Sequence, residues 1–163
     1  MKLIFLDIDG VLNCKNTTDH YGGYIGVDDK KVELLKRVVD ETGALIVLSS
    51  SWRLGVTNTG LGTEGLMDYL KEKLAKYGLE IYSMTPQIGG FHGSRGKEIN
   101  IWLNSRDNIE SWVVLDDEYF DDFSVYGIDS HLVNTDFYGD GLTKEDVKQA
   151  INILNGEKNY DFE

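Results

Sequence analysis

The chain reads as an α/β protein, a three-layer α/β/α sandwich on a parallel, Rossmann-like sheet. Two observations predict this. Apolar runs of strand length alternate with amphipathic stretches of helical period along the chain. Runs such as "ALIVL" (44–48) are apolar at every position, as strands covered on both faces are. The 163 residues suit one domain with a substantial core. No repeat, low-complexity tract or proline-rich linker divides them, so 1–163 is read as a single domain.

Each element has its own justification. "LIFLD" (3–7) is a buried strand. "DDKKVELLKRVVDETG" (28–43) carries Val32, Leu34, Leu35, Val38 and Val39 on one helical face, with Gly43 as its stop. "ALIVLSS" (44–50) is the second strand. "EGLMDYLKEKLAKYG" (64–78) is an amphipathic helix that ends in glycine. "LEIYSM" (79–84) is the third strand and "GKEINIWLNS" (96–105) a short helix. "SWVVLDD" (111–117) and "HLVNT" (131–135) are the fourth and fifth strands. "TKEDVKQAINILNG" (143–156) closes the chain as a helix, with Thr143 as cap and Asp146 three residues on. The stretches 21–26, 53–63 and 89–96 read as loops.

Composition removes several function classes. Sixteen basic against 28 acidic residues leave a net charge of −12, which speaks against a surface wrapped by a nucleic-acid backbone. A small local phosphate site stays compatible with it. The single cysteine, Cys14, has no internal disulfide partner, and "MKLIFLD" is too short and too soon acidic for a signal peptide. A cytoplasmic location is therefore expected. No apolar run approaches the roughly 20 residues that cross a bilayer, so no membrane association is expected.

Polar residues collect at the carboxyl ends of strands, where open parallel sheets bind ligands. The first strand ends in Asp7 and Asp9, the second in "SSSWR" (49–53), the fourth in Asp116 and Asp117. If these strands are neighbours, four carboxylates share one cleft and need a counter-charge. A hard divalent cation such as Mg²⁺ supplies it, and Lys97 at a helix start adds another positive group. Such a set suits phosphoryl transfer. One carboxylate attacks phosphorus, another protonates the leaving oxygen, and cations neutralise the phosphate.

Four motifs in this order resemble those of the haloacid dehalogenase-like (HAD) phosphohydrolase superfamily. They are "LDIDGVL" at the first strand, "IVLS" at the second, Lys97 in "RGKEI", and "VVLDD" at the fourth strand. The chain is similar in particular to small stand-alone HAD domains like those of RNA-repair proteins. The resemblance implies Asp7 as nucleophile and Asp9 as general acid/base, with its carbonyl on the metal. It implies Ser49 on a phosphate oxygen and Lys97 beside Asp7. It places Mg²⁺ on Asp7, Asp9, Asp116 and Asp117. Ser50 and Arg53 are the candidates for substrate contact. Asp121 lies where the superfamily often has a further acid, though Asp121 and Asp122 also read as an ordinary acidic loop.

The expected activity is Mg²⁺-dependent hydrolysis of a phosphomonoester, on a small molecule or a nucleic-acid end. The alternatives are a polynucleotide 3′-phosphatase or nucleotidase of repair type, a phosphotransferase, and a catalytically silent binding module. The gaps between motifs leave no room for a large cap. The segment "NCKNTTDHYGGYIG" (13–26) is read as a small flap, and an open site suits a bulky substrate or closure by a partner subunit. Oligomeric state has no sequence signal. His92 and Arg95 read as exposed loop residues. His20 and His131 lack metal-ligand spacing and read as structural. Trp52, Trp102 and Trp112 read as core aromatics, and Cys14 is not assigned as a nucleophile.

Overall fold

The computed structural model describes residues 1–55, 64–88 and 94–156. Among these residues, seven strands and four α-helices follow one another. They are β1 (Lys2–Leu6), β2 (His20–Tyr21), β3 (Tyr24–Ile25), α1 (Asp29–Thr42), β4 (Leu45–Leu48), α2 (Leu66–Ala75), β5 (Ile81–Met84), α3 (Arg95–Asn104), β6 (Ser111–Asp116), β7 (Leu132–Asn134) and α4 (Lys144–Leu154). Five of the strands form one all-parallel sheet in the order β5-β4-β1-β6-β7. A parallel pair needs a crossover between its strands; α1, α2, α3 and the 117–131 segment supply these, and α4 follows the last strand.

The sheet is covered on both faces, unequally. Ile4 and Leu6 of β1 face a core shared with Val32, Leu35 and Val38 of α1, Leu66, Leu70 and Leu74 of α2, and Val147, Ala150 and Leu154 of α4. Leu3 and Phe5, one residue out of phase, face Ile99 and Trp102 of α3 with Phe123 and Ile128. Three helices therefore cover one face. One helix and the chain between β6 and β7 cover the other. The three-layer parallel architecture predicted from the sequence is what forms.

The helix ends follow local chemistry. The Asp28 side chain accepts from the Lys30 amide at the start of α1, and Gly43 ends it with φ +71°. Thr143 and Asp146 cap each other at the start of α4. The stretch 21–26, expected as a loop, contains the hairpin β2–β3 instead. Gly22 and Gly23 form its two-residue turn at φ +57° and +85°, backbone that glycine adopts at little cost. The hairpin is fastened to α2. Tyr21 stacks on Tyr69 with ring centroids 4.7 Å apart, its hydroxyl donates to the Glu64 carbonyl, and Lys73 pairs with Asp19. Among the described residues, no helix is long and apolar enough to cross a membrane.

Candidate active site

Strand register builds the site before any side chain is considered. Leu6 of β1 lies opposite Leu48 of β4 and Leu115 of β6. The ladder runs one step further on both sides, because the Ser49 amide donates to the Leu6 carbonyl and the Asp7 amide to the Leu115 carbonyl. Asp7 is thus flanked by Ser49 on one side and Asp116 on the other. On the far side of Asp116, the Thr135 amide and the Asn134 side-chain amide both donate to its carbonyl.

After Asp7 the chain leaves the strand in a tight turn, with Val11 and Leu12 amides donating to the Ile8 carbonyl. Gly10 sits in that turn at φ +85°, and a Cβ there would lie 2.2 Å from Asp117 Oδ2. The turn and the Asp117 carboxylate are in close contact, and only glycine fits between them.

Asp7, Asp116 and Asp117 each present an oxygen within 4.8 Å of the others. Asp7 and Asp116 are 5% and 1% exposed, so the site is recessed. Burial, and then the negative charge of Asp116, push the Asp7 carboxyl well above the usual carboxylate range. Burial raises Asp116 to about 6 despite the opposing pull of Arg95. Burial and the charge of Asp7 raise Asp117 to about 8. Three carboxylates held this close carry more negative charge than the single guanidinium beside them, Arg95, can offset. Their oxygens suit a hard divalent cation.

Among the described residues, the cation paired with this cluster is Arg95. Its Nη1 lies 2.8 Å from Asp116 Oδ2 and 3.4 Å from Asp7 Oδ1. Burial alone would lower its pKa, but the charges of Asp116 and Asp7 more than reverse that and hold it protonated. This corrects the reading of Arg95 as an exposed loop residue. It opens α3, and Asp122 holds that helix end by accepting the Gly96 and Lys97 amides at 3.0 and 2.9 Å. Asp122 therefore works as a helix cap from outside the helix, and Asp121 is exposed. Lys97, expected beside Asp7, is exposed, and the contact expected of it belongs to Arg95. His92 lies outside the described residues.

The remaining predicted residues are placed as follows. The Asp9 carboxylate is not one of the three clustered carboxylates, though its charge helps to raise the Asp7 pKa. Its Oδ1 accepts from Asn13 Nδ2 at 2.9 Å and its Oδ2 from Trp52 Nε1 at 2.8 Å. The Ser50 hydroxyl caps a single 3-10 turn (Ser51–Leu54) by accepting the Trp52 amide. Arg53 pairs with Glu98 at 2.9 Å, both side chains less than a tenth exposed, and Glu98 also accepts the Ile88 amide. Among the described residues, two buried side-chain polar atoms have no partner, Ser49 Oγ and Arg53 Nε. Buried polar groups are almost always satisfied, and both orphans lie on the segment that follows β4. Burial lowers the pKa of Arg53, and Asp7 and Arg95 are among the charges that act on it. His131 stacks on Trp112 at 3.6 Å, and His20 bonds a neighbouring carbonyl, as structural histidines do. Cys14 is buried, with the Thr17 hydroxyl against its sulfur.

Sequence reasoning missed Arg95, Asn13 and Glu98. A signal existed for two of them. "GSRGKE" permits a helix that starts at Arg95 after Ser94, and Asn13 stands four residues after Asp9, one helical turn.

A family model described as "HAD domain in Swiss Army Knife RNA repair proteins" matches residues 3–147. The chain belongs to this family of HAD domains. It is therefore a HAD-type phosphohydrolase domain, and its Asp cluster is able to hold a metal ion. Neither the curated proteins nor the solved structures gave a match. The matched residues include β1 from Leu3, the other six strands described, the Asp cluster, Arg95 and the start of α4.

Proposed function

We propose that the chain is a divalent-metal-dependent phosphatase that hydrolyses a phosphomonoester through a covalent phosphate on Asp7. The observation that carries this is the row Ser49–Asp7–Asp116, set by parallel register, with Arg95 bound to both carboxylates. Mg²⁺, held by Asp7, Asp116, Asp117 and the Asp9 carbonyl, would supply charge neutralisation for the phosphate.

The residues divide the work. An Asp7 carboxylate oxygen attacks phosphorus, and the bond from phosphorus to the substrate oxygen breaks. The Asp9 carboxyl gives its proton to that leaving oxygen. The Asp9 carboxylate then takes a proton from water as the water oxygen attacks phosphorus, which frees Asp7 and inorganic phosphate. Ser49 Oγ, unpartnered and buried, donates to a phosphate oxygen. Arg95 orients Asp7 and offsets charge that develops beside it. Arg53 Nε offers a further donor to the substrate, with the guanidinium fixed by Glu98.

The family's description favours an RNA end as the substrate. The net charge of −12 confines contact with such a polyanion to local cations, and Arg53 and Arg95 stand there. The test is Mg²⁺-dependent phosphate release from p-nitrophenyl phosphate, nucleotides, sugar phosphates and oligoribonucleotides carrying 3′- or 5′-phosphate. Wild type is compared with Asp7→Asn. Release that is lost in the variant, and greatest on a phosphorylated RNA end, is expected. Equal release by Asp7→Asn would overturn the mechanism. Preference for a small phosphate would overturn the substrate.

A further inference from the structure

Asn13 lies in the turn after β1, is fully buried, and has nearly every hydrogen-bonding position filled. Its Nδ2 donates to Asp9 Oδ1 and to the Gly26 carbonyl, both at 2.9 Å, and its Oδ1 accepts the Gly10 amide at 2.8 Å. The amide orientation is unambiguous. Turned over, it would set a carbonyl against a carboxylate and a carbonyl, and an NH₂ against an N–H. Trp52, also fully buried, has one donor, and spends it on the other Asp9 oxygen at 2.8 Å.

We propose that Asn13 is a positioning residue for Asp9. With Trp52 on the opposite oxygen, it fixes the acid/base carboxyl and ties it to the root of the β2–β3 flap at Gly26. This rests on the role of Asp9 proposed above.

The geometry argues for positioning over plain turn stability. A turn cap needs only the Gly10 amide bond. Asn13 adds a donor to the carboxylate and a second to a backbone carbonyl 13 residues on. The two donors, one on each oxygen, fix the carboxyl plane about the side-chain torsion. Proton transfer needs such a fixed direction, because the proton must pass along the line to the leaving oxygen. The support behind Asn13 is also firm. Gly26 donates to the Asp19 carbonyl, the Asp28 amide donates to the Leu12 carbonyl, and the Val27 amide donates to Tyr69 Oη. The Trp52 ring lies 6.4 Å from that of Tyr69, so both donors rest on the same packed layer.

The experiment compares two phosphomonoesters. p-Nitrophenyl phosphate releases a stable phenolate and needs little protonation. Benzyl phosphate releases an alkoxide and needs a proton. kcat/KM, which reports the step that expels the leaving group, is measured with Mg²⁺ for wild type, Asn13→Asp, Trp52→Phe, Asp9→Asn and Asp7→Asn. Asn13→Asp keeps the shape and the Gly10 contact but puts a carboxyl oxygen in place of the Nδ2 donor. Trp52→Phe keeps a ring in the core and removes only the N–H, so it carries the result if Asn13→Asp does not fold.

The expected result is a loss on benzyl phosphate at least about 10-fold greater than on p-nitrophenyl phosphate for both positioning variants, in the direction of Asp9→Asn. A purely structural role would lower both substrates equally. Equal losses, or none, with Asp7→Asn inactive, would overturn the positioning role and leave the mechanism standing. An active Asp7→Asn would remove the mechanism, and the role of Asn13 with it.

Discussion

Arg95 is where residue-level reasoning gains most from the structure. A single nitrogen of its guanidinium lies against both Asp7 and Asp116. Lys97, two residues on, is exposed. Arg95→Ala is therefore expected to lower kcat by about 100-fold or more, the usual scale for one charged donor at a reacting phosphate. Lys97→Ala is expected to stay within a few fold. Steady-state kinetics of the two variants checks this, and the reverse order would return the role to Lys97. The sequence points to Lys97 through its match to the HAD motif in "RGKEI" and its place at a helix start, and reads Arg95 as a loop residue. Nothing in the sequence announces that Asp122, more than twenty residues on, would anchor the helix a residue earlier. The carboxylates themselves were legible, because two aspartates at each of two strand tips are costly anywhere but a site.

At the scale of elements, the turn between β1 and the flap carries the most constraint. Gly10 has positive φ, and the space for its Cβ is already occupied by the Asp117 carboxylate. Gly10→Ala is expected to cost about 1–3 kcal/mol of stability from backbone strain alone. It should also weaken metal binding, because Asp117 has to move. Thermal melts with and without Mg²⁺ measure both effects, and a wild-type Mg²⁺ shift in the variant would contradict the close packing. Strand and helix positions were legible to within three residues, because fully apolar runs such as "LIVL" and helical faces such as Val32–Leu35–Val38 leave little choice. The β2–β3 hairpin was not, since two-residue strands show no periodicity, although "YGGY" is a recognisable two-residue turn. Strand order was not legible either. The sequence shows three polar strand tips, and only the pairing of β1 with both β4 and β6 makes them neighbours.

For the whole molecule, the acidic cluster ties stability to pH and metal. Asp117 titrates near 8 and Asp116 near 6 in the metal-free fold, against an ordinary value of 3.8. A carboxyl whose folded pKa is raised stabilises the fold fully below the ordinary value and loses that contribution as pH rises through the folded value. Metal-free protein is therefore expected to melt at lower temperature as pH rises from about 5 to about 8. Asp117→Asn should flatten the upper part of that decline. Added Mg²⁺ should raise the melting temperature most at the alkaline end, where no proton competes for the carboxylates. A metal-free melting temperature that rises across this range would contradict the cluster. The net charge of −12 belongs to the same picture. It weighs against a phosphate backbone wrapped over the surface, so the proposed recognition centres on the terminal phosphate and the cations beside it. The central claim is a phosphate covalently held on Asp7, and the most direct measurement is acid-quench trapping of enzyme with ³²P-labelled phosphomonoester and Mg²⁺. A protein-bound label released by hydroxylamine, as an acyl phosphate is, and absent from Asp7→Asn is the expected result. Turnover with no bound label, or label retained in Asp7→Asn, would contradict it.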